Sequence, residues 1–374
     1  MHIRKAVHSH SALYEKVSLG NLEGRAFLFV VYARVAAVAQ LVEPSVVVRV
    51  VAGSSPVGRP IKLRNKVIKR RHMNKLQPWV RVGAGLFLGL VLCVALILHL
   101  DVREADWARL LQGLSWPWII VVVLLTIALW GSGARKWALW AEALHGEAGK
   151  EPAPGFFFRH FAWQNWFGQF VPPSLAIILG RSWASRHMPG VNWREGAGNA
   201  FYDQLMEFVL LAAFLPAAVL ILWYQAVVQV WAPVALAGLL AVGGIVLLLG
   251  RLFPRVPRRF LMPLLLWSAL RVLLTIARLI VGAPALGLLI DPVAIAAAAP
   301  VVALLFLIPL TPGNLGVAEW GWAGVLTFAG TEPVSAGLLA VGFRLLMFVV
   351  QTVLILGIIV RGKPSIPPIV SGRE

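Results

Sequence analysis

The chain has 374 residues, 59% of them apolar and 13% charged, with a mean hydropathy of +0.80; soluble domains carry about twice that charged fraction, which excludes a soluble enzyme or binding domain. Its one cysteine, Cys93, lies in an apolar run and excludes a disulfide framework or a cysteine-rich metal site. The net charge of +18 is uneven, with 13 Lys and Arg against 3 acids in residues 1–72.

Before Met73 no apolar run reaches the ~18 residues of a membrane span, and the best, 26–38, is interrupted by Arg34. Residues 38–60, VAQLVEPSVVVRVVAGSSPVGRP, resemble the mistaken translation of a tRNA gene and its flanks. Met73 is therefore expected to be the biological start, with 1–72 spurious; the competing reading is a basic, disordered extension. The basic patch has no aromatic interleaving, and no nucleic-acid partner is expected.

From Met73 onward, hydropathy predicts spans at 82–100, 116–129, 201–223, 231–249, 260–288, 293–310 and 335–360. Two segments are broken. Residues 156–180 carry Arg159, His160, Gln164, Asn165 and Gln169 before Pro172 and Pro173, and 311–330 carry five glycines and Glu319. Interrupted backbone at membrane depth needs protein or a wet cavity to satisfy it, so both are candidate re-entrant hairpins.

The bias of basic residues toward the cytoplasmic side orders these segments. Lys75 and Arg81 put the start inside, the acidic connection 101–109 lies outside, and Arg135 and Lys136 return the chain inside. A hairpin at 156–180 keeps Arg181, Arg186 and Arg194 inside, where Arg251, Arg255, Arg258 and Arg259 also fall. The tail, with Arg361, Lys363 and Arg373, is inside again. The expected architecture is an all-α bundle over 73–363 with a tail at 364–374, crossing six to eight times, in a bacterial-type inner membrane with the first span as signal anchor. A broken segment in each half is also what internally repeated transporters show.

Charges inside spans cost about 2.5–3.5 kcal/mol each at a helix centre and need partners or water. Asp203 and Glu207 lie four apart on one helical face; Arg271 and Arg278 lie seven apart on a face of another. Glu319 and Arg344 offer the same combination later in the chain. These six are either structural ion pairs or a transport site in which Arg271, Arg278 and Arg344 hold a lipid phosphate while Asp203, Glu207 and Glu319 balance or gate them. The string 308–322, IPLTPGNLGVAEWGW, is either a tight turn between helices or a helix N-terminus opened toward an anion. Most of the 16 tryptophans read as interfacial anchors, and Trp163 and Trp166 read as packing or as lipid contacts.

Enzyme signals are poor. Ser132 between Gly131 and Gly133, with His160, is a weak match to a serine hydrolase, and Asp203 with Glu207 lacks the acidic density of a lipid phosphotransferase. No nucleotide-binding fingerprint or metal-ligand spacing appears, so no catalysis, cofactor or metal is expected.

Together, Pro309, Thr311-Pro312-Gly313, Gly316, Glu319, Gly330 and Arg344, preceded by Pro172-Pro173-Ser174, Gly190, residues 193–196 (WREG), Asp203 and the stretch 134–139 (ARKWAL), resemble the lysylphosphatidylglycerol synthase transmembrane-region family over about 73–363. That resemblance implies a flippase-like membrane module, found alone or fused to lipid-modifying domains. Departures fall in the first half: 177–179 read Ile-Ile-Leu where many members show Gly-Gly-Asp, and Gln204 stands where Arg often follows the acid. With these departures, no substrate carries over from the family; given the charges inside the spans, the expected function is to translocate or present an anionic or polyprenyl-linked lipid between leaflets, the partners being membrane lipids. The alternative is a non-transporting subunit that docks a separately encoded lipid-modifying enzyme or glycosyltransferase through the basic loop 251–259.

Overall fold

In hydrocarbon each backbone N–H and C=O must be satisfied within its own segment, so long apolar runs become helices. The computed structural model describes residues 77–150, 152–153, 155–224, 251, 253, 256–305 and 311–361, with no strand among them. Residues 1–80 and 81–374 form two units; of the first, only 77–80 are described, as the opening turn of α1 (Gln77–His99). The expected extension 1–72, span 231–249, Arg255, Pro309 and tail 364–374 lie outside the described residues.

After α1 the chain bends by 97° into α2 (Glu104–Gln112). The backbone N–H of Arg103 donates to Asp106 Oδ2 at 2.9 Å, and Glu104 and Asp106 place negative charge at the helix N-terminus, where the dipole favours it. Helix α3 (Trp116–His145) starts on a proline and is longer than hydropathy suggests. Past Leu129 it turns amphipathic: Gly133, Lys136, Trp137 and Trp140 recur at helical spacing and are buried, whereas Arg135 is exposed.

The break expected within 156–180 separates α4 (Phe156–Phe167) from α5 (Pro173–Ala184). Proline fits the first turn of a helix, where no N–H is needed, and two in succession disfavour continuation of the preceding helix, so Pro172-Pro173 separates the limbs and starts the second. Helix α6 (Trp193–Tyr224) begins ahead of residue 201 because Asn192 caps it. Asn192 Oδ1 accepts from the N–H groups of Arg194 and Glu195 at 3.0 Å, and Glu195 accepts from Asn192 N–H at 2.7 Å.

The same succession then recurs: α7 (Arg258–Ala285), the broken pair α8 (Pro292–Leu305) and α9 (Val317–Phe328), and α10 (Pro333–Arg361). The described part of α8 has 14 residues and packs as the first limb beside α9, while residues 306–310 of the expected span 293–310 lie outside the described residues. Among the described residues four helices are long and apolar enough to cross, or five with α1 and α2 taken together. Large apolar side chains such as Leu124, Leu266, Leu273 and Val353 stay exposed on them, as lipid-facing surfaces require. The chain is a polytopic all-α membrane bundle.

The second run lies opposite in direction to the first. Val122 early in α3 clusters with Ala285 at the end of α7, while Leu139 and Trp140 late in α3 cluster with Phe260 and Leu264 at its start. Helices α3 and α7 pack most extensively, α8 lies along α6, and α4 meets α10. Each broken pair thus leans on the closing span of the other run, an inverted internal repeat.

At the end of α7, Gly287 has φ 70 and is pressed on the backbone after α2, where an added Cβ would lie 2.6 Å from the Gly113 carbonyl oxygen. A Gly287→Ala protein is expected to lose about 2–5 kcal/mol to left-handed strain and overpacking. Thermal unfolding in detergent reads this as a lower midpoint, and an unchanged midpoint would show that the corner relaxes freely.

Candidate functional site

Three helices of the first run and α7 bring charge to one place. Lys136 on α3 is fully buried and pairs with Asp203 Oδ1 at 2.5 Å and with Glu207 Oε1, both on α6. Arg181 on α5, also fully buried, pairs with Asp203 Oδ2 and donates from Nη1 to Asn199 Oδ1 at 2.8 Å. Arg271 on α7 reaches Glu207 Oε1 at 2.9 Å and lies over the Phe161 ring, 4.9 Å from its centroid. The facing stripes expected from sequence therefore meet through Arg271 and Glu207.

Arg278, two turns on from Arg271, is not part of an ion pair or hydrogen bond among the described residues, and Arg271 is its like-charged neighbour. Two acids thus stand among four cations. The Nε–H donors of Arg181, Arg271 and Arg278 are all buried without a partner among the described residues. An excess of positive charge with unsatisfied planar donors is suited to an oxyanion such as a phosphate.

Sequence reasoning missed Lys136 and Arg181 by assigning both to cytoplasmic loops. Both are in helices and sit at the centre of the network. The signal was available for Lys136, which shares a helical face with Gly133, Trp137 and Trp140. For Arg181 it was weak, because α5 follows a double proline in a stretch with little periodicity.

The second cluster forms where the broken elements meet. Arg344 on α10 donates from Nη1 to Glu319 Oε1 and from Nη2 to the Gly313 carbonyl, both at 2.6 Å. Glu319, buried in the first turn of α9, also accepts from Gly316 N–H at 2.6 Å. The N-terminus of α9 is thereby closed by its own carboxylate, which favours the tight-turn reading of 308–322 over an open anion site. Thr311 Oγ1 donates to the Leu315 carbonyl at 2.7 Å, and Pro312 and Gly313 make the turn itself. The backbone of Gln169, just before Pro172 and Pro173, abuts Gly313, and Gln169 Nε2 reaches Gln351 Oε1 on α10 at 3.5 Å. No ion pair joins this cluster to the first among the described residues. In position the two are counterparts of opposite sign: Arg181 in the broken element meets an acid on the next span, and Glu319 in the broken element meets a base.

Ser132 and His160 do not meet, since Ser132 Oγ donates to the Leu129 carbonyl at 2.9 Å and His160 Nδ1 bonds the Phe156 carbonyl at 2.9 Å. Trp166 packs inside and donates to Thr352 Oγ1 at 3.1 Å, whereas Trp163 is exposed. No group of three His, Cys, Asp or Glu with metal-binding geometry occurs among the described residues.

Residues 82–355, well over half the chain, match the family described as Lysylphosphatidylglycerol synthase TM region. The chain belongs to that family. In this member of the lysylphosphatidylglycerol synthase transmembrane-region family, the matched segment contains both charge clusters and both broken elements, so the chain is a membrane lipid-related module. No curated protein and no solved structure matches the chain.

Proposed function

We propose that this family member carries an anionic or polyprenyl-linked lipid between leaflets, passing the headgroup along the charged interior while the chains stay in the bilayer. The observation that carries this reading is the surplus of cations in the network, with Arg278 lacking an acid among the described residues. A purely structural network gains nothing from an extra half-buried arginine without an acid, because a charge in the bundle is costly. The inverted repeat supports the reading, because two oppositely directed halves supply a means of exposing one site to either side. Arg344 and Glu319 serve as the latch that holds the second broken element on α10, where its Gly313 turn meets Gln169 of the first.

In the proposed orientation both termini are cytoplasmic, as the exposed Arg135, Arg186, Arg194, Arg251, Arg258 and Arg259 favour. The membrane is a plasma or bacterial inner membrane, the partners are its lipids, and no chemical step on the lipid is assigned. With no nucleotide-binding fingerprint in the chain, net pumping would draw on an ion gradient or a partner.

Arg278→Gln removes no described ion pair, so the variant is expected to fold and melt like the wild type. Its scrambling of fluorescent anionic lipid in liposomes is expected to fall on the order of tenfold, the loss of one charge-assisted contact. Wild-type protein that folds yet scrambles no anionic lipid would overturn translocation. That result would favour the docking-subunit reading, for which the exposed Arg251, Arg258 and Arg259 are the contact surface.

A further inference from the structure

Away from both charge clusters, a groove of about 690 Å³ runs between α3, α4 and α10. Its walls include Ile127 and Trp130 from α3, Phe158 from α4, and Val353 and Gly357 from α10. Every lining residue is apolar or glycine except Arg159, in the first turn of α4. Such a volume falls among those of small-molecule sites, about 300–1,000 Å³. Val353 is 62% exposed and Ile127 39%, so the groove opens sideways toward the bilayer.

We infer that this groove is a lateral lipid portal, holding one acyl chain of an anionic phospholipid whose phosphate pairs with Arg159. The inference rests on the lipid-handling reading and adds an entry site to it. Charge complementarity selects the occupant. Arg159 has no ion-pair or hydrogen-bond partner among the described residues, and a guanidinium beside an apolar trough matches a molecule with a hydrocarbon tail and an anionic head. An apolar protein helix would fill the trough but leave Arg159 unanswered.

The repeat explains why the groove is open here. Its counterpart in the other run lies where α8 meets α6, and there the two helices pack extensively, while α4 touches α10 over less surface. Such an asymmetry between the two runs is what a carrier that admits lipid from one leaflet at a time would show. At Gly357 an added Cβ would meet nothing within 4 Å, so a large side chain placed there fills the groove without displacing backbone.

The test uses the full chain in nanodiscs of phosphatidylcholine doped with phosphatidylglycerol that bears a diazirine on one acyl chain, with diazirine-phosphatidylcholine as the neutral probe. After irradiation, mass spectrometry should find the anionic probe concentrated on peptides carrying Ile127, Trp130, Val353 and Gly357, above the α7 surface at Leu266 and Leu273. Arg159→Gln should lower the anionic label on the order of tenfold and leave the neutral label unchanged. Arg159→Lys should keep part of it, and Gly357→Trp should remove both. Even labelling of all lipid-facing surfaces, no effect of Arg159→Gln, or a protein cross-linked in the groove would overturn the portal. Scrambling with even labelling would sink the portal alone, and portal labelling without scrambling would sink translocation alone.

Discussion

Replacing Asp203 with alanine is expected to be the most damaging single change in the protein. Its carboxylate stands between Lys136 and Arg181, both of them fully buried, and no other acid pairs with Arg181 among the described residues. Removing one partner of a buried pair costs about 3–5 kcal/mol because the remaining charge is stranded, and here two cations lose their shared partner. The melting midpoint in detergent should fall on the order of 10 °C, with poor recovery of monodisperse protein. Arg181→Met on the Asp203→Asn background removes the stranded cation, since Lys136 keeps Glu207, and should restore part of the loss. A double-mutant cycle measures that coupling, and strict additivity would mean the two residues do not interact as described.

The second large effect is expected at Gly313. Its φ of 60 belongs to the left-handed region, and an added Cβ would run into the Gln169 backbone and approach Arg344 Nη2 at 2.8 Å. Left-handed strain of about 1–2 kcal/mol and overpacking of about 1–3 kcal/mol put the cost of Gly313→Ala at about 2–5 kcal/mol. Gly131→Ala on α3, where nothing lies within 4 Å of the new Cβ, provides the comparison and should not lower the midpoint. Equal midpoints for the two variants would show that the tips of the broken elements are not in firm contact.

The class of fold was legible from composition, because a chain this apolar has few places to put its backbone other than membrane helices. The two breaks were legible too, since Pro172-Pro173 and Pro312-Gly313 interrupt helices for local reasons that need no tertiary information. Legibility failed where a polar residue sat at the end of an apolar run. The window that closes a span at Leu129 treats Lys136 as solvated, yet tertiary contact with Asp203 and Glu207 carries the helix to His145. Arg181 was hidden for the same reason: a count of basic residues does not distinguish one facing water from one facing an acid on α6. Which arginine pairs with which acid is a property of helix rotation and depth, so Arg271 with Glu207, and Arg278 with no described acid, emerged only from the assembled bundle.

The order of charges along the chain also bears on how the protein is made. Lys136 leaves the ribosome first, its acids Asp203 and Glu207 follow on α6, and Arg271 comes later still on α7. Each of these helices bears a penalty of about 2.5–3.5 kcal/mol per unpaired charge if released into lipid alone. Helix α3 therefore has reason to linger beside the insertion machinery until α6 has been synthesised, when Asp203 and Glu207 answer Lys136 and Arg181. A ribosome paused between α5 and α6 would hold an intermediate with Lys136 and Arg181 short of their acids, vulnerable to quality-control proteolysis in a way that the finished bundle is not.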